Sequence, residues 1–374
     1  MLGDPAAGSP LRQSWLQRYL RLDGVLLSAL LLLTGVGLGI LYSAFDGHLL
    51  EVRKQLIRFV IAFGAMLVMA QISPATLRRW SPWVYGATLI MLLAVMAFGH
   101  IGKGAQRWLD LGFVRFQPSE LMKLALPMTV AWFLSRHELP PRFPQVLIAL
   151  VLILVPTALI AEQPDLGTAI LVATAGFFVL YMAGLRWRLI LGTIVALIPI
   201  GVLMWHFGMH DYQRRRVLTL FDPHSDPLGS GYHIIQSTIA LGSGGVYGKG
   251  YLRGTQSHLD FLPERHTDFI FAVLSEEFGL MGAALLLLLY FLIIARGLYI
   301  GLCAQDTYSR LLACSLSLTF FVYVFVNIGM VSGLLPVVGV PLPLVSYGGT
   351  SMVTLLAAFG MLMSIHTHRK LWPS

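Results

Sequence analysis

LDGVLLSALLLLTGVGLGILYSA, residues 22–44, holds one charged side chain in an apolar run long enough to cross a bilayer as a single helix. About 20 helical residues span the roughly 30 Å hydrocarbon core, since an α-helix rises about 1.5 Å per residue. The residues before this run are polar and basic, and the run is too long for the apolar region of a cleaved signal peptide. We therefore interpret it as the first membrane helix, preceded by a cytoplasmic segment, residues 1–21.

Similar apolar runs recur along the whole chain. Hydrophobic residues make up 56% of the sequence and charged residues only 12%, whereas soluble globular proteins carry about 25% charged residues. The candidate spans lie at about 22–44, 56–74, 80–99, 117–135, 144–162, 167–184, 187–208, 275–300, 309–332 and 347–367. The sequence therefore predicts an all-α polytopic membrane protein with ten transmembrane helices, folded as a single membrane domain over residues 1–374.

Basic residues indicate how these spans are oriented. If the amino terminus is placed in the cytoplasm, every connection on that side carries at least two Lys or Arg residues, as the positive-inside rule requires. An even number of spans returns the carboxyl terminus to the same side. The connection at about 209–267 then becomes one large extracytoplasmic loop. We expect both termini to be cytoplasmic.

Composition also limits the kinds of ligand that the chain can bind. Cys303 and Cys314 are the only cysteines, and they form neither a disulfide framework nor a metal-ligand cluster in the sequence. The net charge of +8 suits a chain that lies against anionic membrane lipid or binds an anionic substrate. No basic motif interleaved with aromatic residues indicates nucleic acid as a partner.

The predicted outer loops carry more cations than the positive-inside rule leads one to expect. The short loop 100–116 contains Lys103, Arg107 and Arg115, and the large loop contains further Arg and Lys residues. Long loops cross the membrane regardless of charge, which explains the large loop but not the short one. Two interpretations stay open. The cations either have no function and simply do not affect how the loops cross the membrane, or they face a multiply anionic ligand. We favour the second.

The segment PERHTDFIF, residues 263–271, places ionisable residues directly before an apolar run. A carboxylate costs about 2.5–3.5 kcal/mol at mid-depth of a bilayer and less near its surface, so Asp268 is a functional candidate. The alternative is that Asp268 only caps the following helix. His266 does not indicate zinc, because no second His or Cys follows at ligand spacing. Of Glu276 and Glu277, two turns later, at least one should face protein or water.

Two further charged sites fall inside apolar segments. Glu120 and Lys123 are spaced i, i+3 on one face of the fourth span, and they either neutralise each other or line a cavity in which Lys123 meets an anion. Asp165 either caps the sixth span or faces the same cavity. A proline-rich break follows at 336–343. Irregular backbone at membrane depth is buried in protein or lines a wet cavity, so we expect a cavity open to the outer side.

Five fragments, in this order, resemble the SEDS family of polytopic peptidoglycan glycosyltransferases. They are KGAQRW at 103–108, FQPSE at 116–120, QPDLG at 163–167, PERHTDFIF at 263–271 and GVPLPLVSYGG at 339–349. Glu264-Arg265-His266 and GTQS at 254–257 are more similar to the RodA branch, which acts in elongation, than to the FtsW branch, which has Glu-Ala-His. The resemblance covers most of the chain.

The resemblance implies that the chain polymerises lipid II, a disaccharide-pentapeptide on undecaprenyl pyrophosphate, at the outer side of the cytoplasmic (inner) membrane during cell elongation. It implies Asp268 as the catalytic carboxylate. The substrate-binding residues that it implies are Arg107, Arg115, Glu120, Lys123, Asp165, Gln213, Arg216, Lys249, Arg265, His266 and Ser346. The implied partners are the undecaprenyl-pyrophosphate-linked glycan and a class B penicillin-binding transpeptidase.

The chemistry of this transfer fits the residues independently. A sugar hydroxyl is a poor nucleophile until a base takes its proton, and Asp268 can be that base. Arg and Lys side chains can stabilise a pyrophosphate leaving group, with or without a divalent cation, Mg²⁺ or Mn²⁺. Direct attack inverts the anomeric centre. The alternatives are a lipid II transporter (flippase), which suits intramembrane charges but normally shows inverted repeats, and a non-catalytic scaffold.

Overall fold

The structure is a computed structural model that describes residues 21–102, 105–110, 115–185, 192, 195, 199, 206, 211–223, 229–258, 262 and 264–368. The helices are α1 Gly24–Ala44, α2 Leu49–Gln71, α3 Pro74–Phe98, α4 Pro118–Leu134, α5 Phe143–Glu162, α6 Leu166–Met182, α7 Asp211–Phe221, α8 Ser230–Ser243, α9 Thr255–His258, α10 Ile270–Leu302, α11 Thr307–Val331 and α12 Thr350–Thr367. The strands are β1 His100–Gly102, β2 Ala105–Asp110 and β3 Arg115–Phe116. The prediction of an all-α membrane fold is confirmed.

Nine of the ten predicted spans coincide with a helix. Among the described residues, six helices are long and apolar enough to cross a membrane: α1, α3, α5, α10, α11 and α12. Helix α6 is apolar but shorter, whereas α2 and α4 carry charged residues in their first halves. The predicted span 187–208 lies almost wholly outside the described residues, so the count of ten stays a prediction.

Short polar side chains begin several of the helices. Asp23, Ser73, Asp165 and Asp306 each accept a hydrogen bond from the main-chain amide three residues ahead. A capping side chain satisfies one of the amides that the first turn of a helix leaves without a partner. These residues therefore set where α1, α3, α6 and α11 start. For Asp165 the capping interpretation is thus confirmed.

Helix α4 forms the centre of the bundle. Nearly all of its side chains are buried, and it packs against α3, α5, α6, α11 and α12. Helices α11 and α12 are also mostly enclosed. In their most apolar stretches, 72% and 61% of the residues are buried, against 28% in α3 and α5. Helices that are apolar on all sides suit such interior positions, so the charges on α4 lie inside protein and not against lipid.

The connection between α3 and α4 contains a small antiparallel sheet that the sequence analysis did not predict. Strand β2 pairs with β1 on one side and with β3 on the other. Within the large loop, residues Ser230–Ser243 form α8. Helix α8 packs against α10 and α11, and its Ser237 hydroxyl donates to the Val331 carbonyl at 2.9 Å.

Helix α10 is interrupted at Gly279, whose φ of 61° and ψ of −159° are not helical. Residues 245–250 of the large loop fill the interruption. Their amides donate to Glu276 and Glu277 carbonyls at 3.0 Å, while amides just after Gly279 donate to the loop carbonyls at 2.9 and 3.1 Å. A break in a membrane helix frees main-chain groups that must find partners. The loop supplies them, which fixes it to the helix that begins beside Asp268.

We expect Gly279→Ala to lower the thermal stability of the detergent-solubilised protein. A Cβ on Gly279 would lie 2.4 Å from the Gly248 nitrogen, and this backbone conformation costs other residues about 1–3 kcal/mol even without a clash. The matched control is Gly35→Ala in α1, where a Cβ would meet nothing within 4 Å. The control should be neutral or slightly stabilising. Equal melting temperatures for the two variants would contradict the role given to Gly279.

Candidate active site

Asp268 lies near the end of the turn 264–269, which leads into α10. The amides of Thr267 and Phe269 donate to the Glu264 carbonyl at 3.1 and 3.4 Å, and the Thr267 hydroxyl donates to the Glu264 carboxylate at 2.8 Å. Phe269 occupies the cap position of α10. Asp268 therefore lies one residue before the cap position, and the capping alternative stays a prediction.

The carboxylate of Asp268 faces the proline-rich segment 333–349. Its Oδ2 lies 3.6 Å from the point where a Cβ on Gly339 would stand. The main-chain carbonyl of Asp268 accepts a hydrogen bond of 2.8 Å from the Asn327 amide of α11. The side chain of Asp268 is partly exposed. A partly exposed carboxylate held between two rigid segments is suited to accept a proton from a bound molecule.

The proline-rich segment is packed so tightly between helices that side chains are excluded at two contacts. A Cβ on Gly37 of α1 would lie 2.7 Å from the Leu344 carbonyl oxygen, and one on Gly167 of α6 would lie 2.8 Å from that of Val338. The Tyr290 hydroxyl donates to the Pro343 carbonyl at 2.6 Å. The irregular backbone at this depth is therefore buried in protein, as membrane proteins require.

Ser346 and its neighbour join this segment to the turn that carries Asp268. The Ser346 hydroxyl donates to the Thr267 carbonyl at 2.5 Å and accepts the Leu342 amide at 2.8 Å. The Tyr347 amide donates to the His266 carbonyl at 2.8 Å. Ser346, which the resemblance implies as a substrate-binding residue, thus has its hydroxyl engaged with the protein and positions the turn.

The α1–α2 connection holds the same turn from the opposite side. Arg265 is buried and pairs with Asp46 at 2.6 Å. The His266 ring stacks on Phe45 with centroids 4.0 Å apart. Asp46 leaves 38% of its side chain exposed, whereas Arg265 leaves 9%. These contacts give Arg265 and His266 a structural role beside any contact with substrate.

Arg107, Gln117 and Asp165 form a second polar cluster at the same end of the bundle. The Arg107 guanidinium donates to the Gln163 and Pro164 carbonyls and lies 3.8 Å from the Asp165 carboxylate. Gln117 donates to the other Asp165 oxygen at 2.9 Å. One third of the Arg107 side chain is exposed.

Glu120 and Lys123 form a buried ion pair at 2.6 Å, each side chain 7% exposed. The Thr354 hydroxyl of α12 donates to the second oxygen of Glu120 at 3.1 Å. The Lys123 ammonium also lies 5.1 Å from the centre of the Tyr323 ring. Lys123, Tyr323 and Thr354 line a small pocket between α4, α11 and α12. The predicted pairing of the two charges on one helix face is confirmed.

Helix α11 connects the ion pair to the catalytic candidate. Tyr323 touches Lys123, and Asn327, four residues later, holds Asp268. Residues four apart lie on one helix face, separated by about 6 Å along the axis. Val340, which Asn327 also binds, lies beside Gly167 of the Asp165 cluster. The structure therefore brings Asp268, Lys123 and Asp165 around one stretch of α11, although they are far apart in sequence.

Lys249 lies in a different environment from these residues. Its ammonium pairs with Glu276 of α10 at 2.7 Å and donates to the Thr255 hydroxyl at 2.7 Å. The same Glu276 oxygen accepts the Thr255 and Gln256 amides at 2.8 and 2.9 Å. Glu276 and Glu277 are both buried in protein. Lys249 thus anchors the large loop to α10, while 27% of its side chain stays exposed.

The remaining implied binding residues are only partly described. Arg216 and Gln213 lie on α7, and Arg115 lies on β3. The Arg216 side chain is partly exposed, whereas the side chains of Gln213 and Arg115 lie outside the described residues. Within the part of the chain that the structure describes, no three His, Cys, Asp or Glu side chains are grouped closely enough to hold a metal ion. The divalent cation therefore stays a prediction.

Sequence reasoning missed two residues near the site. Arg58 of α2 lies 4.4 Å from the centre of the Tyr347 ring, and Asn327 holds the main chain of Asp268. Each polar side chain has apolar residues on both sides in the sequence, in LIRFVIAF for Arg58 and VFVNIGMV for Asn327. Polar residues in such positions usually mark functional sites, so the signal was present in the sequence.

Comparison with known proteins places these residues in a wider group. Residues 20–371 match the family model described as cell cycle protein, which covers FtsW, RodA and SpoVE. The chain is 57% identical over 350 residues to peptidoglycan glycosyltransferase MrdB of Escherichia coli K12, across 94% of this chain and 95% of that protein. It is 36% identical to a probable peptidoglycan glycosyltransferase FtsW of Geobacter metallireducens, across 94% and 96% of the two chains.

Solved structures show the same similarity. One is a chain from a structure that describes the coordination of polymerization and crosslinking by a peptidoglycan synthase complex. The TM-score is 0.82 and the identity 30%, and the match covers 94% of this chain and 100% of that chain. Another is the rod shape determining protein RodA of Thermus thermophilus, with a TM-score of 0.72, 28% identity, and coverage of 94% and 99%.

Proposed function

Since the chain belongs to the FtsW, RodA and SpoVE family, we propose that this peptidoglycan glycosyltransferase polymerises lipid II with Asp268 as its general base. The observation that carries the proposal is the position of Asp268. Its carboxylate faces the proline-rich segment, and its main-chain carbonyl is bound by Asn327 of α11, about one helical turn from Tyr323, which contacts Lys123. A proton acceptor and a cation thus lie on neighbouring sides of one site.

The reaction is a single displacement in which Asp268 removes the proton of the acceptor sugar hydroxyl. The oxygen then forms the new glycosidic bond as the bond to the pyrophosphate of the donor breaks. Attack from the side opposite the leaving group inverts the anomeric centre. Pyrophosphate leaves as a stable anion, so a second carboxylate acting as an acid is not needed, in contrast to glycosidases.

Cations of the site stabilise the charge that develops on the leaving pyrophosphate. Arg107 offers a partly exposed cationic side chain, and Lys123 adds a buried ammonium. Donors that are already fixed in place stabilise a transition state without reorganisation, and each contributes roughly 10²–10³ in rate. Mg²⁺ or Mn²⁺ would bind mainly through the substrate phosphates, as Mg²⁺ commonly does.

The partner that we propose is a class B penicillin-binding transpeptidase. The support is the similarity to a chain whose structure describes coordinated polymerization and crosslinking by a synthase complex. The undecaprenyl-pyrophosphate-linked glycan is the second substrate. The product of polymerisation is a strand that still needs crosslinking, so a transpeptidase in direct contact receives its substrate without diffusion.

The experiment that tests the function is glycan synthesis by the purified protein from lipid II in detergent. We expect labelled polymer, separable from lipid II by gel electrophoresis. Transport of lipid II is the second candidate function, favoured by the interruption of α10 at Gly279, because broken helices are common in transporters. A transporter would leave lipid II unpolymerised in detergent and move it between the leaflets of a vesicle.

We further propose that the large loop is extracytoplasmic and that both termini are cytoplasmic. In a background in which Cys303 and Cys314 are replaced, an impermeant thiol reagent added outside spheroplasts should label Ser257→Cys. The same reagent should label Ser374→Cys only after the membrane is opened. The reverse pattern would put Asp268 on the cytoplasmic side, away from the growing wall, and would contradict the proposed function as well.

A further inference from the structure

Asn327 links two segments that the proposed mechanism needs at a fixed separation. It is 0% exposed and lies in the second half of α11. Its amide nitrogen donates to the Asp268 carbonyl at 2.8 Å and to the Val340 carbonyl at 2.7 Å. Both hydrogens of the amide are thereby used. One bond holds the residue proposed as base, and the other holds the segment that this base faces.

The chemistry of the two acceptors explains why an amide stands here. Asp268 precedes the first residue of α10, and Val340 lies in irregular backbone, so neither carbonyl has a regular helical partner. An Asn side chain is short and carries two donors in one plane, which lets it serve both carbonyls at once. Apolar side chains of similar size offer no donor, and Asp offers only acceptors when ionised.

Fixing these carbonyls also fixes the carboxylate. The Asp268 carbonyl belongs to the peptide plane that follows its Cα, so holding the plane limits the directions in which the side chain can point. The carboxylate faces Gly339, the residue before Val340. The Asn327 side chain therefore helps to fix the distance between the Asp268 carboxylate and Gly339, the residue that this carboxylate faces.

We infer that Asn327 is a positioning residue that holds the Asp268 carboxylate in its reactive orientation. The inference rests on the proposed role of Asp268 as base. Its position on α11 adds a second consequence: Tyr323, four residues earlier on the same face, contacts Lys123. Helix α11 thus contacts both the proposed base, through Asn327, and the buried cation, through Tyr323.

The test compares Asn327→Leu and Asn327→Ser with the wild-type protein, purified in detergent. Leu has a similar size and no donor, while Ser retains one. We expect the maximal rate of glycan synthesis to fall about 10- to 100-fold in Asn327→Leu, as misplacement by about 1 Å does in other enzymes, and less in Asn327→Ser. The concentration of lipid II that gives half the maximal rate should change less than about two-fold, because positioning acts on the chemical step.

The control is Ser317→Ala, also on α11, where the lost hydroxyl donates only to the Ala313 carbonyl of its own helix. It should leave the maximal rate unchanged. A maximal rate close to that of the wild type in Asn327→Leu overturns the inference. So does failure of both Asn327 variants to fold, since Asn327 would then serve the fold alone. Asp268→Asn, measured in parallel, separates the two proposals: if it stays active, the base assignment fails as well.

Discussion

We expect Asp268→Asn to abolish glycan synthesis by the purified protein, while its melting temperature and its binding to the proposed partner transpeptidase stay close to those of the wild type. The amide keeps the shape of the side chain and loses the proton acceptor, and general-base catalysis contributes about 10²–10⁴ in rate. One contact that secures this residue is the hydrogen bond from Asn327 to its main-chain carbonyl, which the substitution leaves in place. The measurement is polymer formed from labelled lipid II, together with thermal unfolding and copurification.

Two further carboxylates make this result specific. Glu138→Gln changes an exposed residue in the α4–α5 connection and should leave activity unchanged. Glu264 begins the same turn as Asp268, and its carboxylate accepts the Thr267 hydroxyl. If Glu264→Gln were inactive and Asp268→Asn active, the base would have to be reassigned to Glu264. Near-normal synthesis by both variants would remove general-base catalysis by this turn altogether.

Much of the fold follows from the sequence because a bilayer imposes a simple physical requirement. Apolar runs of about 20 residues can only be helices there, since every main-chain group needs a partner within its own segment. The runs at 22–44 and 144–162 accordingly coincide with α1 and α5. The sheet at 100–116 was not predicted, because its pairing depends on register and turns instead of on composition.

The site is harder to predict because its residues meet through tertiary packing. Asp268 and Glu120–Lys123 were found as charges inside apolar segments, which needs only the energetic argument about burial. The helix that contacts both, α11, was not predicted to do so, because sequence spacing does not show which helix lies between them. The environment of Lys249 could not be predicted either. Its ion pair with Glu276 forms because a loop fills the interruption of α10, and no sequence pattern indicated that interruption.

The Glu120–Lys123 pair gives the second large effect. Lys123→Ala should inactivate the protein and also destabilise it, because it leaves the buried Glu120 carboxylate with the Thr354 hydroxyl as its remaining partner among the contacts described above. Removing one member of a buried ion pair costs about 3–5 kcal/mol. Loss of activity in this variant alone therefore does not distinguish a catalytic cation from a structural one.

The double variant Glu120→Gln with Lys123→Met removes both charges at nearly constant volume and so separates the two roles. The introduced glutamine can still accept the Thr354 hydroxyl, and an uncharged pair of similar volume is often neutral for stability in a buried site. We expect the double variant to melt near the wild-type temperature and to remain inactive, because it lacks the ammonium that we propose faces the substrate pyrophosphate. A double variant that folds and polymerises lipid II at the wild-type rate would show that the pair only neutralises itself, and the leaving group would then have to be stabilised by other cations such as Arg107 or Arg216.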